Sequence, residues 1–374
     1  MDINDWNIGG PFSKVIFEKI NLNSSKQVKE WLFTLNWKPT TWNYNKETKE
    51  KTSPKLTEDS FISLPPGIGQ DYARYNVLKH RRNSILSFKD PENKGYLGLM
   101  RPDGRIEADG ITCGTPTARY THKKVVNVPA GDAVYGEEMR KCFCVKPPYR
   151  MLGADLAAIE ACVMAHYTTP YDDGKIARDL LVEKGKPDWH TKNAKDIYTP
   201  YRPDNPMTRG GGKGISYMLI YGGSANKCMS MMGISKAKGT ALFNYFWEYN
   251  VGLKKLRDRL VNMYKSKGHI IGIDGRQLMI RAEYKLLNSL FQSAAAIIFK
   301  QWMVLCCDEL ELRGLDIELI ISYHDELQFR CHEDCVDEAI EIIERTCSEA
   351  GELLGVRVPI KADCMLGMNW FDCH

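Results

Sequence analysis

The sequence predicts an α+β fold, in which antiparallel strand pairs alternate with helices. Two segments, HIIGIDGRQLMIRA at 269–282 and DIELIISYHDELQFRC at 316–331, each read as strand, turn and strand. Long helical patterns follow them, at about 284–313 and about 336–350. Antiparallel strands with helices between them are typical of α+β layers. The 374 residues are also enough for two or more subdomains.

The first part of the chain alternates helices with polar connections. A helix is predicted over SSKQVKEWLFTL (24–35), capped by Ser24 or Ser25. Residues 41–60 are polar and nearly free of aliphatics, which favours an exposed loop. A basic helix at about 71–89 is either a phosphate-contacting face or simply a solvated one; its cations are Arg74, Lys79, His80, Arg81 and Arg82.

The middle of the chain leads to a helix that starts at Arg209. Residues 96–108 read as a hairpin with an Asp-Gly turn. An apolar strand at 149–156 runs into a helix at 156–167. A polar stretch with Pro and Gly, 168–208, then precedes the Arg209 helix.

Further helices and one last strand complete the predicted fold. A helical region covers about 235–267, and a final strand lies near 356–364. Between them, the helix at about 336–350 has one apolar stripe, formed by Val336, Ala339, Ile340, Ile343, Cys347 and Ala350.

Composition excludes several classes of protein. The chain is 43% apolar and 26% charged, as in ordinary soluble proteins, and no apolar run reaches about 18 residues, so we expect no membrane partner. Its start lacks the features of a signal peptide, which predicts a cytoplasmic, unsecreted protein. A net charge of +4 is too small to prove nucleic-acid binding. The twelve cysteines lack the spacing of a zinc site, so we expect reduced, buried thiols.

The stretch RGGGKGISYMLIYG (209–222) has a pattern that fits a nucleoside triphosphate. On a helix, Arg209, Lys213, Tyr217 and Tyr221 recur every four residues and so share one face. A helix N-terminus favours phosphate, and rings one and two turns beyond the lysine could stack on a base. The alternative is a buried helix whose basic end reaches solvent.

Two carboxylates occur at the ends of apolar strands. Asp155 ends one strand, and His324-Asp325-Glu326 forms a turn between two others. Buried acids are costly unless they pair with cations or a metal, and two of them together would suit magnesium. Paired magnesium ions about 4 Å apart serve in-line phosphoryl displacement. Taken singly, Asp155 could equally be a helix cap and Asp325 a turn residue.

Taken together, these motifs resemble a known family. Asp155-Leu-Ala-Ala-Ile-Glu160, then Arg209-x3-Lys213-x7-Tyr221-Gly222, then His324-Asp325-Glu326 resemble motifs A, B and C of family A DNA polymerases, in order and spacing. Further matches are Thr117-Ala118-Arg119, NVP at 127–129, Asp274-Gly275-Arg276 and NSLFQSA at 288–294. Three segments resemble the phage branch: YGEEMRKCF (135–143), WHTKN (189–193) and GMNWFDCH (367–374). The resemblance runs from about residue 20 to the end.

The resemblance implies a right-hand polymerase fold with an antiparallel-sheet palm and helical fingers. It divides the chain into a thumb-to-palm segment at 1–95, a palm segment with motif A at 96–167, fingers with motif B at 168–283, and a second palm segment with motif C at 284–374. The implied partners are primer-template DNA and deoxynucleoside triphosphates.

The resemblance also implies roles for single residues. Asp155, Asp325 and the backbone oxygen of Leu156 would hold two Mg²⁺ ions, or Mn²⁺ in their place. Lys213 would act in catalysis, and with Arg209 and His190 it would bind the triphosphate and neutralise developing charge. Tyr217 would stack on the incoming base, and Tyr221 would lie at the template position. The residues implied to bind DNA are Arg119, Tyr221, Gly222, Asn288, Gln292, Arg276 and His324. Asn288 and Gln292 could instead be ordinary buried amides.

Sugar selection would depend on Glu160, which in this family lies against the 2′ position and leaves no room for a hydroxyl. Single-subunit RNA polymerases share much of the three motifs but lack this glutamate. Reverse transcriptases resemble YHDE at 323–326 but lack the Arg/Lys/Tyr helix. Tyr217 further predicts ready acceptance of dideoxynucleotides. The competing class is a catalytically silent, polymerase-like DNA-binding subunit.

Two departures from the family pattern lead to further expectations. The chain begins roughly where a thumb would end and carries no surroundings for an exonuclease site, while its C-terminus looks complete. We therefore expect low processivity and no proofreading, with a separate thumb or exonuclease subunit or a processivity factor as a further partner. The second departure is the glycine triplet at 210–212, which predicts a frayed or mobile helix start that nucleotide binding orders.

Overall fold

The computed structural model describes residues 19–373 except 46–47, 49, 57–59, 61–63, 65–66, 87–94, 126 and 183–185. Within these limits the chain divides into two compact units, one up to Gly98 and one from Leu99 onward. Both combine helices with antiparallel strands, as the α+β prediction required.

The described part of the first unit includes two helices and a short hairpin. Helix α1 spans Ser25–Thr34, and the Ser24 side chain caps it by accepting from the backbone N–H of Gln27. Helix α2 spans Ile68–Leu86; residues 87–89 of the predicted basic helix lie outside the described residues. The small core of this unit is formed by Val28, Leu32, Trp37, Leu64 and Tyr72.

The expected loop at 41–60 is wrong in part, because it contains an antiparallel pair. Strand β1 (Trp42–Tyr44) pairs with β2 (Lys51–Pro54). The Lys51 ammonium lies 5.5 Å from the centre of the Trp42 ring across the pair. Cross-strand contacts of this kind stabilise a polar hairpin without any aliphatic pattern.

A four-stranded antiparallel sheet lies in the second unit. Its strands are β5 (Tyr149–Leu156), β8 (Ile317–Tyr323), β9 (Glu326–His332) and β10 (Ala362–Gly367), in the order β10-β5-β9-β8. Two small pairs accompany it: β3 (Gly110–Ile111) with β4 (Thr121–His122), and β6 (His269–Ile271) with β7 (Gln277–Met279). The last strand starts later than predicted, since Pro359 has no N–H for a ladder and Ile360 is buried in the core.

The helices of the second unit confirm the long periodic patterns. They are α4 (Gly136–Lys141), α5 (Ile159–Asp172), α6 (Lys175–Leu180), α7 (Trp189–Asn193), α8 (Arg209–Ile220), α9 (Ala225–Met232), α10 (Lys236–Tyr249), α11 (Val251–Lys267), α12 (Leu286–Leu312) and α13 (Val336–Leu353); α3 (Tyr96–Leu99) lies at the boundary of the two units. The predicted stripe of α13 is buried except at Ile340, which is half-buried.

In the middle of the chain, the hairpin prediction is wrong in part, and the polar stretch contains helices that its composition did not indicate. At 96–108 the Asp103-Gly104 turn exists, but the pairing is a single bridge between Met100 and Ile106, and the chain before it is helix α3, which buries Tyr96. At 168–208 the polar stretch contains α6, α7 and a π-helix, Ala194–Tyr198. Its few large apolar residues, such as Trp189 and Tyr198, are fully buried. Their burial stabilises these short helices although most residues of the stretch are polar.

Residues 283–312 are long and apolar enough to cross a membrane by length and composition, although no apolar run was apparent in the sequence. Helix α12, which forms most of this stretch, packs against α5, α11 and α13, and Trp302 and Ile298 are fully buried there. Its place in the fold is that of a core helix.

Candidate active site

The two predicted metal ligands lie at adjoining ends of neighbouring strands. Asp155 on β5 is directly opposite Glu326 on β9, and the Leu156 N–H donates to the Asp325 carbonyl at 3.2 Å. His324 and Asp325 form the two-residue turn between β8 and β9. His324 adopts φ +57°, a value that is uncommon for residues other than glycine and that such a tight turn requires. The β-ladder therefore brings Asp155 next to the Asp325 turn.

The donor set of these residues fits magnesium. No cluster of three or more metal-ligating side chains occurs among the residues that the structure describes. Magnesium is usually bound by one or two carboxylates, with water and substrate phosphates supplying the remaining oxygens. Asp155 and Asp325, with the Leu156 backbone beside them, match that requirement.

The third acid of the region has a structural environment. Glu326 is 2% exposed, and its Oε1 accepts a hydrogen bond from Trp370 Nε1 at 2.7 Å and another from Gln328 Nε2. The Arg140 guanidinium lies 4.8 Å from the centre of the Trp370 ring. Glu326 thus connects the C-terminal segment to strand β9. Its position next to Asp325 in the sequence did not suggest this structural role.

A cavity of about 180 Å³ adjoins the turn. Five predicted site residues line it, namely Arg119, Glu160, Gln292, His324 and Asp325. Glu160 also faces the helix α8 tyrosines. Burial, followed by the nearby Glu160 charge, raises the pKa of both Tyr217 and Tyr221. Glu160 therefore lies between the cavity and α8.

The predicted face of α8 is present. Lys213 Nζ lies 6.0 Å from the Tyr217 ring centre, and the Tyr217 and Tyr221 rings are 5.6 Å apart. His190 on α7 joins them, with its ring 5.6 Å from that of Tyr217. The helix is therefore not simply a buried element with a basic end: its polar face is continuous with a neighbouring histidine.

Sequence reasoning missed Asp188, which organises the basic end of this face. Its Oδ2 accepts from Arg209 Nε and Nη2 at 3.0 and 2.6 Å, and its Oδ1 caps α7 by accepting from the Thr191 N–H at 2.9 Å. Burial opposes ionisation, but the hydrogen bonds from Arg209 and Thr191 prevail and lower the pKa of Asp188 to about 2. The only available signal was an Asp immediately before a short helix, a common cap.

His190 is a neutral group in this environment. The side chain is buried, and burial, with help from the Arg209 and Lys213 charges, lowers its pKa to about 4. The Asp188 charge acts in the opposite direction but does not outweigh burial, so the neutral imidazole can hydrogen-bond to a phosphate near neutral pH.

Two positions of the glycine triplet are closely packed. A Cβ on Gly211 would lie 2.5 Å from the Sδ of Met207, a flexible side chain, whereas Gly212 packs against less adaptable neighbours. A Cβ on Gly212 would lie 2.8 Å from Ala194 Cβ and 3.2 Å from the His190 carbonyl oxygen, whereas Gly210 has nothing within 4 Å. The Thr208 side chain caps α8 by accepting from the Gly211 N–H. The first turn is thus formed and capped, and the expected mobility of this helix start stays a prediction.

Buried polar contacts fix α8 against the preceding segment. The hydroxyls of Tyr198 and Ser216 are 2.8 Å apart, and Asn193 Nδ2 donates to Ser216 Oγ at 3.3 Å. All three side chains are fully buried. Because α7 carries His190 and α8 carries Arg209 and Lys213, these contacts hold the three together.

The remaining predicted DNA-binding residues have mixed environments. Arg276 is engaged internally, with Nη2 2.6 Å from Ser293 Oγ and 3.4 Å from the Thr117 carbonyl and Nε 3.3 Å from Asp274. It therefore braces a loop rather than reaching outward. Asn288 is half-buried on α12 outside the cavity lining. Gly222 has φ +89°, and a Cβ there would lie 2.4 Å from the Tyr284 carbonyl oxygen.

Comparison with known proteins gives a consistent result. The family model described as DNA polymerase family A matches residues 11–372. The chain is 24% identical to the DNA-directed DNA polymerases of Enterobacteria phage T3 and Escherichia phage T7, with all of this chain and 55% of each relative covered. It is 27% identical to DNA polymerase I of Pseudomonas aeruginosa, covering 96% of this chain and 39% of that protein. The chain thus spans about half the length of the phage relatives.

A solved structure has the same fold. The POL domain of Pol1 from M. smegmatis, in complex with DNA primer-template and dNTP, superimposes with a TM-score of 0.75 at 23% identity, over 95% of this chain and 62% of that one. The predicted right-hand fold and the predicted family are both confirmed. The chain belongs to DNA polymerase family A.

Proposed function

We propose that this chain is a template-directed DNA polymerase that adds deoxynucleotides to a primer 3′-hydroxyl. One observation carries the proposal: Asp155 adjoins the Asp325 turn, beside a cavity that Glu160 also lines. The names of the phage relatives, which are DNA-directed DNA polymerases, support the same activity.

In this proposal Asp155 and Asp325 hold two Mg²⁺ ions, with the Leu156 backbone oxygen as a further ligand. When bound, such ions activate a hydroxyl and stabilise the charge on a leaving group. The two strand ends keep the Asp155 and Asp325 backbones adjacent before substrate arrives, which limits the reorganisation that metal binding would need.

Helix α8 and α7 bind the nucleotide. Lys213 and Arg209 neutralise phosphate charge, while Asp188 holds the Arg209 guanidinium in one orientation. His190 donates a hydrogen bond as a neutral imidazole. Tyr217 stacks on the incoming base, and Tyr221 lies at the template position.

Glu160 selects the sugar by occupying the space of a 2′-hydroxyl. We also propose that the chain has no proofreading activity and low processivity by itself, and that a thumb or exonuclease subunit or a processivity factor assists it in the cytoplasm. Of the two Asp-x-Glu spacings in the sequence, the one at 316–318 is engaged structurally, since Asp316 accepts from Tyr149 and Glu318 pairs with Arg105. The other, at 90–92, lies outside the described residues.

Primer extension by the wild type and Asp325→Asn tests the proposal. We expect extension with deoxynucleotides, little with ribonucleotides, and none by the variant. Equal use of ribonucleotides would favour an RNA polymerase relative. Primer-template binding without extension would favour the silent subunit.

Dideoxynucleotides test the assignment of Tyr217. A tyrosine at this position predicts that chain terminators enter the extension ladder about as readily as deoxynucleotides, and Tyr217→Leu should weaken nucleotide binding because stacking is lost. Strong discrimination against terminators by the wild type would contradict the assignment.

A further inference from the structure

Lys300 occupies an unexpected position on helix α12. It lies eight residues beyond Gln292, so the two share one face of the helix, and both line the cavity at the candidate active site. A lysine on this face would be expected to reach toward DNA phosphates. Its ammonium group is used differently.

The Lys300 ammonium is committed to a single loop of the protein. Nζ donates to the Thr112 carbonyl at 2.6 Å and to the Ala118 carbonyl at 2.7 Å, and it lies 3.4 Å from the Cys113 Sγ. An ammonium has three donors, so these contacts use its full capacity.

The loop that Lys300 holds carries Arg119 into the cavity. Ala118 has φ +57°, a left-handed conformation that is costly for alanine and persists only when surrounding contacts enforce it. Ala118 is also 2% exposed, and the Arg119 N–H is fixed by Thr115 Oγ1 at 2.9 Å. The backbone immediately before Arg119 is therefore held in an unfavourable conformation by Lys300.

We propose that Lys300 is a positioning residue that fixes the loop at 112–119 and thereby directs the Arg119 guanidinium toward the primer-template. The proposal rests on the proposed polymerase function. Lys300 itself does not touch substrate; its effect on activity passes through Arg119.

A double-mutant cycle of Lys300→Met and Arg119→Ala on primer extension tests this. Lys300→Met should lower kcat/KM about tenfold, because it removes the two carbonyl hydrogen bonds that hold the loop. In the Arg119→Ala background the same change should cost less than about twofold, because residues in one network are not additive. Lys254→Met, an exposed lysine on α11, is the matched control for charge and should change little.

Hydrogen exchange across 112–119 provides a readout that does not depend on activity. Exchange should rise in Lys300→Met while the protein remains folded; if that variant does not fold, Lys300→Gln replaces it. Additive losses in the cycle, or unchanged exchange, would overturn the proposal. A wild type that extends no primer would instead overturn the polymerase function, and the exchange measurement would still decide the role of Lys300 in the loop.

Discussion

At the scale of single residues, two buried histidines, His166 and His190, make the stability of this fold sensitive to acid. Burial is the main cause that lowers the pKa of each from 6.5 to about 4, with the Arg357 charge acting on His166. The Arg357 N–H also donates to His166 Nδ1 at 3.1 Å, which requires a neutral ring nitrogen. Both side chains therefore favour the unprotonated form when folded.

The sign of the pH dependence follows from these values. Between pH 6.5 and about 4 the unfolded chain takes up protons that the folded chain does not, so the free energy of unfolding falls as pH falls. Above pH 6.5 the contribution is complete. Urea unfolding at pH 7.5, 6 and 5 should show this, and His166→Gln should reduce the slope by about one proton. An unchanged slope in His166→Gln would contradict the account.

At the scale of elements, the start of helix α8 makes a specific prediction about its glycines. Gly212→Ala should destabilise the protein by about 1–3 kcal/mol because the new methyl group overlaps Ala194. Gly210→Ala and Gly214→Ala, which have nothing within 4 Å, should stabilise it by about 0.5–1 kcal/mol through helix propensity. Thermal unfolding of the three variants separates the two effects; equal shifts in all three would show that packing at Gly212 is not the constraint.

The nucleotide-dependent ordering of this helix start stays a prediction. Hydrogen exchange across 209–214, with a primer-template and with or without a matched nucleotide, measures it. Protection that rises with nucleotide supports the hypothesis. Since the first turn is already capped by Thr208, the expected change is smaller than for an unformed turn.

Elements with strong periodicity could be predicted from the sequence, and those held by few contacts could not. The strands β8 and β9 and helix α13 have clear apolar patterns, so they and the Asp325 turn were found. The segment at 168–208 has none, because its helices are each only five or six residues long and bury single large side chains. Asp188 and Lys300 were missed for a related reason: their partners, Arg209 and the Thr112 and Ala118 carbonyls, are distant in sequence.

At the scale of the whole molecule, the burial of the cysteine thiols predicts which of them react in the folded protein. All twelve cysteines are free; Cys113, Cys142 and Cys144 are exposed, and the other nine are half-buried or buried. Burial raises the pKa of Cys228 to about 11 and of Cys347 to about 12, so these thiols should be unreactive.

A thiol-reactive dye should therefore modify three cysteines quickly in the native protein and all twelve after denaturation. Replacing the three exposed cysteines with serine is the control and should remove the fast phase. Rapid modification of most thiols in the native state would contradict the packing described above.

The central claim, that Asp155 and Asp325 form the metal-binding centre of a polymerase, is tested most directly by single-nucleotide incorporation measured against Mg²⁺ concentration. Asp155→Asn and Asp325→Asn should each lower kcat/KM about a thousandfold or more, because several kcal/mol of charge stabilisation is lost. Asp363→Asn is the matched control, since Asp363 is the exposed register neighbour of Asp155 on β10, and it should stay within about twofold of the wild type. Near-normal incorporation by either site variant, or an equal loss in Asp363→Asn, would contradict the claim.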